Sequence, residues 1–459
     1  MIPLTARCSA DRRAEIGPSH CPAFGAALIC LLLIPLGSGC AMVARDIQRG
    51  RSAYHLGDFQ TAQASLKKAA DAKSPAALPA RLDLAMAQFA SGQTAAAIES
   101  LRSLRDDFDN IPAISPAQEV ASIVTDDTVR QYRPAGYEQV MVRSMLSLCS
   151  LAAGDGDAES YALQAQMHQA ELARQAESRG LTGATDVYQP LALAPYLRGV
   201  LREATLHDYD DAVRAYQLVS HLQPAFAPAQ ADIERATNGR HSAPGHGVLY
   251  IIALVGRGPV LQEQPAEVTT AALQIATQVY SLAENDRMML PNLVSVKVPK
   301  VVVPHSPAAA LSLDSSGVWL GATQPLVDIG QMAARQSEAE MPWTLARAVV
   351  RRVTKEVAVT QATRTAGLNG LSGEVARFAG VNVWSLTESA DTRCWGLLPR
   401  EIQVLRAELP AGTHNLGLTV VGNAGQNVGL KSYADVSIEN GRNTYLTVIA
   451  GDRQAHIAL

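Results

Sequence analysis

"HLGDFQTAQASLKKA", residues 55–69, decides how this chain is read. After a Gly-Asp turn it places Gly57, Phe59, Ala62, Leu66 and Ala69 at helical spacing, so one stripe of the helix mixes small and bulky apolar side chains. The same grammar returns in "ASGQTAAAIESLRSL" (90–104), with Gly92, Ala97, Leu101 and Leu104, and Ala97 falls 35 residues after Ala62. It returns again in "LHDYDDAVRAYQLVSHLQP" (206–224), with Tyr209, Ala212, Tyr216 and Val219, and closes on Pro224. The physical sense is direct. A small alanine lets two antiparallel helices approach closely, larger residues one turn on fill the groove, and a trailing proline stops the second helix. Tyr196 and Gly199 stand where the first helix of the last unit would carry a bulky and then a small residue.

A period of about 34 residues with alanine at a fixed place is the tetratricopeptide signature, and it predicts a solenoid of helical hairpins over residues 40–235. A weaker unit lies between the others. "GYEQVMVRSMLSLCSLAAGD" (136–155) gives one helix and "DAESYALQAQMHQAELARQAES" (157–178) a second, with Tyr161, Ala165, His168, Leu172 and Ala176 on one stripe. The alanine position is shifted there, and His168 reads as a packed histidine rather than a ligand.

"ATNGRHSAPGHG" (236–247) reads as a flexible linker, with His241 and His246 lacking the Cys or acidic neighbours a metal site needs. Beyond it the pattern changes. "VLYIIALVGRGP" (248–259) is a buried strand, "TTAALQIATQVYSLAE" (269–284) an amphipathic helix, and "LVSVKVPKVVVP" (293–304) a strand edged by prolines. The segments 326–340 and 343–359 read as helices, the second with Leu345, Ala348, Val349, Val353 and Val357 on one face. These predict an α+β domain over 248–385. The end is β-rich: "IQVLRAELPAGTHNLGLTVV" (402–421) alternates, turns at Pro410–Gly412 and alternates again, and "YADVSIENGRNTYLTVIA" (433–450) reads as a hairpin around Asn440-Gly441. The expectation is a small sandwich-like domain over 386–459. The predicted fold class is therefore multidomain, α plus α+β.

Length and composition fit this. With 459 residues, 47% hydrophobic and 18% charged, the chain is globular and long enough for roughly two to three domains. A formal net charge of −4 excludes a dedicated nucleic-acid binder, which carries a strongly basic domain.

The opening stretch "LLLIPLGSGCAMVAR" (31–45) ends an apolar run at three small residues and a cysteine. Arg7, Arg12 and Arg13 precede an apolar core from Ala23 to Leu36 that is short for a bilayer span. Gly37, Ser38 and Gly39 suit a signal peptidase, and Cys40 behind them reads as a lipid attachment site, with Gly37 standing where such sites usually place Leu. Residues 1–39 are the expected signal peptide, and acyl chains on Cys40 would hold the protein on a membrane. Ala41, in place of Asp, favours the outer membrane. Cleavage would leave Cys40, Cys149 and Cys394, the last two expected as buried thiols.

A search for chemistry returns little. HExxH, CxxC, Walker and GxSxG patterns are absent from the sequence, so no catalytic residue, metal or cofactor is expected. "GLNGLSGE" (367–374) reads as a loop and "GNAGQNVG" (422–429) as a hairpin loop. "ADTRCWGLLP" (390–399) is the densest cluster of functional-looking groups. Asp391, Arg393 and Trp395 form a motif of unassigned role, read first as local hydrogen bonds plus a buried anchor, because Cys394 has no local base. Arg347, Arg351 and Lys355 make a basic stripe, read first as a solvated helix face and otherwise as a contact for an acidic partner or an anionic surface.

Several segments together, "DDTVRQYRPAGYEQVMVRSMLSL", "YLRGVLREATLHDYDDAVRAYQ", "ALVGRGPV" and "ADTRCWGLLPREIQVLRAELPAGTH", resemble a family of tetratricopeptide-containing bacterial outer-membrane lipoproteins. The resemblance implies a cell-envelope lipoprotein and brings no catalytic residues with it. The reading is a non-enzymatic, membrane-anchored periplasmic scaffold whose repeats bind envelope proteins on their concave face. The alternatives are a small-ligand-binding or enzymatic C-terminal region, and a structural link from membrane to peptidoglycan.

Overall fold

Each glycine that opens a repeat helix does so for a backbone reason. In a computed structural model that describes residues 34–111, 132–281, 295–365 and 389–458, Gly57 and Gly92 take φ of +80° and +79°, the left-handed region a β-carbon disfavours. These turns separate α1 (Ile34–His55) from α2 (Phe59–Ala70) and α3 (Ala77–Ala90) from α4 (Thr94–Asp109). Two further pairs follow, α5 (Gly136–Ala153) with α6 (Ala158–Ser178) and, after the short α7 (Ala184–Val187), α8 (Leu193–Glu203) with α9 (Tyr209–Leu222). α10 (Pro228–Thr237) closes the series. Ala62, Ala97, Ala212 and Tyr216 are all fully buried, and a β-carbon on Gly199 would sit 2.5 Å from the Tyr216 ring. The small-against-large packing read from the sequence is thus present. Tyr209 begins α9 half-buried, and exposed Pro224 follows its end.

The chain divides into Met1–Met42, whose described residues are helical, and Val43–Leu459, a single compact unit to which all that follows refers. No helix among the described residues is long and apolar enough to cross a membrane. Residues 1–33 of the expected signal peptide and the side chain of Cys40 lie outside the described residues, as does the 367–374 loop.

Beyond the helices come β1 (His246–Val255), β2 (Val260–Glu267), α11 (Thr270–Ser281), β3 (Ser295–Val302), β4 (Ala310–Ser315), β5 (Val318–Ala322) and β6 (Gln324–Asp328). They are followed by α12 (Ile329–Ala339), α13 (Met341–Thr365), β7 (Glu401–Pro410), β8 (Gly412–Val421), β9 (Asn427–Ile438), β10 (Asn443–Ala450) and β11 (Ala455–Ala458). One sheet has the order β11-β10-β1-β7-β6, a second is β5-β4-β8-β9, and β2-β3 pair separately. β1 lies between β7, antiparallel from His246↔Pro410 to Val255↔Glu401, and β10, parallel from Val248↔Asn443 to Val255↔Ala450.

This pairing corrects the expected division at 385/386. Strands from both predicted domains share one sheet, so the α+β region and the C-terminal β region do not form separate domains. A period-2 pattern identifies a strand and its faces but not its neighbours, and here the neighbours lie far along the chain. β1 also explains its own unbroken apolar run. Leu249, Ile251 and Ala253 face the second sheet, packing with Leu311, Leu313, Leu416 and Leu418. Val248, Tyr250, Ile252 and Leu254 face the repeat helices, in one core with Tyr196, Val200, Met141 and Met86.

One expected hairpin is corrected in the same way. Asn440-Gly441 does not close a hairpin but carries the chain from β9 in the second sheet to β10 in the first, just as the expected turn at Pro410–Gly412 carries it from β7 in the first sheet to β8 in the second. The glycine supplies the turn (Gly441 at φ +70°), but the strands it joins have different partners. The expected flexible linker is likewise ordered against the sheet: His241 is buried, its Nε2 lies 2.7 Å from Asn443 Oδ1, and Arg406 donates to its carbonyl.

Candidate protein-binding surface

The first helix of each repeat puts a charge where its apolar stripe meets the rest of the protein. Arg51 on α1, Asp83 on α3, Glu138 on α5 and Glu203 on α8 are the four, and the three acids are fully or almost fully buried. Charges leave water only when they are paired and hydrogen-bonded. Their partners identify what fills the inner face of the repeats.

Three of them clamp "ADTRCWGLLP". Arg51 donates from Nε to Asp83 Oδ2 (2.6 Å) and from its other arm to the carbonyl of Cys394 (2.6 Å). The second Asp83 oxygen accepts the Leu397 amide at 2.9 Å. Glu138 Oε1 accepts the Trp395 amide at 2.6 Å, while Oε2 accepts the Ala135 amide at 2.8 Å and the Tyr132 hydroxyl. Arg393 donates to the carbonyl of Pro75 (2.9 Å) and lies over the Tyr132 ring, its guanidinium 5.8 Å from the centroid. Asp391 holds Arg393 in place through both its amide and its guanidinium. Trp395, Leu397 and Leu398 are buried in the large core. A β-carbon on Gly396 would stand 2.2 Å from the Arg51 guanidinium, so a larger residue here would have to push that guanidinium aside. The segment is held as an extended peptide in a helical groove would be, by its backbone through fixed charges and by an aromatic anchor.

Electrostatics follow from burial. Burial acts against the Arg51 charge, but Asp83 outweighs it and the guanidinium is held above its ordinary range. Burial pushes the Asp83 and Glu138 carboxyls up, opposed at Asp83 by Arg51 and the amides of Leu397 and Gly396, and at Glu138 by the Tyr132 hydroxyl and the Trp395 amide. The Cys394 thiol, also buried, is pushed up to about 11, so at neutral pH it is not the thiolate a nucleophile needs. Cys149 is buried and free as well, with burial raising it further.

The fourth charge, Glu203, accepts the Tyr216 hydroxyl (2.7 Å) and both arms of Arg235 (2.5 and 2.8 Å), and Arg235 also holds Asp232 at 2.7 Å. It ties the last repeat to α10, and Asn443 of β10 donates to the Val200 carbonyl at 3.4 Å beside it. These four charges were missed by sequence reasoning. Their signal is a lone charged residue inside an apolar stripe, as Asp83 is between Leu82 and Leu84.

The concave face expected to receive a partner is therefore occupied by the chain's own sheet and by residues 390–399, which is a correction. A surface that remains open lies elsewhere on the repeats. A groove of about 340 Å³ runs between α6, α8 and α9, lined by Leu163, Pro195, Arg198, Arg214, Ala215 and Leu218 among others. Arg198 is two positions from both Tyr196 and Val200, and at 100° per residue it points away from the face of α8 that meets the sheet.

The basic stripe is corrected too. Arg347 is exposed, Arg351 is buried, and the side chain of Lys355 lies outside the described residues. The helix sinks more of its circumference than one apolar face, because α11 and β3 pack on it through Ala272, Val296 and Val298. His168 is half-buried, with Nε2 2.9 Å from Gln139 Oε1. No cluster that could hold a metal ion is found among the described residues.

The tetratricopeptide repeat family model matches residues 53–118. No curated protein matches the chain. Among solved structures, the crystal structure of the MamA protein is 19% identical, over 43% of this chain and 82% of that one, with a TM-score of 0.27. The TPR2AB-domain–pHSP90 complex of yeast Sti1 is 16% identical, over 44% of this chain and 72% of that one, with a TM-score of 0.22. Superpositions this loose carry no argument, and the repeat assignment rests on the family match and on the helix packing above. The chain contains tetratricopeptide repeats in a mixed α/β protein, and such repeats suggest a scaffold for protein–protein interaction.

Proposed function

We propose that this chain is a non-enzymatic scaffold lipoprotein of the bacterial envelope, acylated at Cys40, held on the periplasmic face of the outer membrane, and binding envelope proteins through the outer side of its repeats. The observation that carries the binding reading is the pairing of a filled inner face with an open groove. The Arg51–Asp83 and Glu138 clamp already holds residues 390–399, whereas the α6–α8–α9 groove is open and lined by exposed Leu163 and Leu218. Anchoring is supported by the run from Leu36 to Ala41, with small residues ahead of Cys40. The non-catalytic reading is supported by the motif at 390–395, whose Asp391 and Arg393 side chains and Trp395 amide are engaged in structural contacts and whose thiol is protonated.

A photo-crosslinking residue at Gln166, in the groove, compared with one at exposed Asp435 on β9, tests the binding reading in intact cells. Protein adducts from position 166 and none from 435 are expected; no adducts from 166, or the same set from both, refute it. Mass spectrometry of the mature N-terminus from separated membranes tests the rest. An acylated Cys40 in the outer-membrane fraction is expected, and an intact Met1 on a soluble polypeptide refutes it.

A further inference from the structure

We infer that the groove between α6, α8 and α9 takes an amphipathic helix of a partner protein, one that carries acidic side chains beside its apolar stripe. This rests on the scaffold reading and adds the chemistry of the partner. Two rows of side chains wall the groove. Glu159, Leu163 and Gln166 stand at i, i+4 and i+7 on α6, and Asp211, Arg214, Ala215 and Leu218 at i, i+3, i+4 and i+7 on α9. Rows with this spacing are helix ridges, and the furrow between two ridges is the shape a third helix fills. The floor is aliphatic and small, with Ala194, Pro195 and Ala215 letting a backbone come near. Met167, one turn on from Leu163 and 64% exposed, prolongs the apolar strip on α6.

Charge decides the sign of the partner. Three arginines share two carboxylates: Arg198 and Arg214 bind Asp211 at 3.2 and 2.5 Å, and Arg202 binds Glu159 at 3.0 Å. Hydrogen bonds from Arg214 and Arg198 hold the Asp211 carboxyl below the usual range. Of the three arginines, the two that line the groove are the outer members, with side chains 51% exposed at Arg198 and 68% at Arg214, against 31% at Glu159 and 33% at Asp211, while Arg202, at 33%, lies no farther out than the carboxylates. An approaching helix therefore meets guanidinium groups first and aliphatic carbon beneath them, which complements Asp or Glu on the flank of a leucine stripe.

The test uses the full acylated chain in nanodiscs, with empty nanodiscs subtracted. The probe is a fluorescein-labelled helical peptide of about five turns with a leucine stripe and a Glu flank, and its twin carries Lys on that flank. Anisotropy titrations are expected to show the Glu peptide binding about tenfold tighter than the Lys twin, the worth of two exposed ion pairs. The Arg198→Glu/Arg214→Glu variant should invert the preference, and Leu163→Asp/Leu218→Asp should lose both peptides while keeping the wild-type circular dichroism. Equal binding of the twins, a preference unmoved by charge reversal, or no binding of either overturns the inference. If the peptides fail while position 166 still crosslinks to proteins in cells, the acidic-helix chemistry falls and the scaffold reading stands. If position 166 yields adducts only with a second copy of this chain or with lipid, both fall.

Discussion

Replacing Arg51 with alanine tests the clamp most sharply, because it strands a carboxylate with no water around it. Asp83 is fully buried, and its ion pair with Arg51 spans 2.6 Å. Without the guanidinium, Asp83 keeps the amides of Leu397 and Gly396 but loses its counter-charge. Breaking a buried pair from one side costs about 3–5 kcal/mol. An independent bound comes from protonation: a carboxyl of ordinary pKa near 3.9 can take a proton at pH 7 for about 4 kcal/mol, and at pH 5 for about 1.5 kcal/mol. The lost hydrogen bond to the Cys394 carbonyl adds about 1 kcal/mol at either pH. Arg51→Ala should therefore cost about 4–5 kcal/mol at pH 7 and about 2.5 kcal/mol at pH 5. The sign follows from linkage, since the variant's Asp83 has a folded pKa raised above its unfolded one, so stability lost at neutral pH returns as the pH falls. Urea unfolding followed by tryptophan fluorescence at both pH values reads this out. The double variant Arg51→Met/Asp83→Leu, which removes both charges, should recover part of the loss, the amides of Leu397 and Gly396 and the Cys394 carbonyl being left without their partners. A cost under about 1 kcal/mol at pH 7, or the same cost at both pH values, would refute the reading of Arg51 as the counter-ion of a dry carboxylate.

Trp395→Ala empties a fully buried indole site and should cost about 3–5 kcal/mol by the same urea assay, with Trp395→Phe costing less. Gly396→Ala sets a methyl 2.2 Å from the Arg51 guanidinium and should displace it, so its cost and that of Arg51→Ala should be clearly less than additive in the double variant. Burial, with Arg257 near one and Arg143 near the other, lowers both His55 and His168 to about 4. Their neutral forms stabilise the fold fully above pH 6.5, and this is lost as the pH falls toward 4, by no more than about 3 kcal/mol each. Thermal unfolding between pH 7 and pH 4 should show the decline, and His168→Gln, which can still meet Gln139, should flatten part of it.

The repeat helices were legible because their causes are local. Gly57 and Gly92 mark turns by their positive φ, Ala62 and Ala97 mark close approaches, and all of these act within one hairpin. The strands were legible for the same reason, since β1 declares itself by its apolar run. The sheet order was not. β1 pairs with β10 some 195 residues later, from Val248↔Asn443 onward, and nothing in either strand's alternation names the other. The motif at 390–399 sits between these cases. Its residues drew attention as a cluster, yet their roles lie in partners some 300 positions away: Pro75 for Arg393, Asp83 for Leu397, Glu138 for Trp395. Arg351 shows the limit of a charge pattern, because a stripe at i, i+4 and i+8 states which side chains share a face and not that Arg351 is buried while Arg347 stays exposed.

A tethered ligand changes what tetratricopeptide repeats can do. Covalent connection gives a segment an effective concentration in the millimolar range at its own binding site, and a strand anchored at its end, as residues 390–399 are by β7, gains more from being already placed. A free peptide with micromolar affinity for the inner face would meet that competition and lose by about three orders of magnitude. The Arg51–Asp83–Glu138 clamp is satisfied by its own chain, and its burial joins helices and sheet into one core. Recognition of other proteins must therefore use side chains that the fold leaves outside, and Leu163, Arg198, Arg214 and Leu218 are residues of that kind, gathered in one furrow.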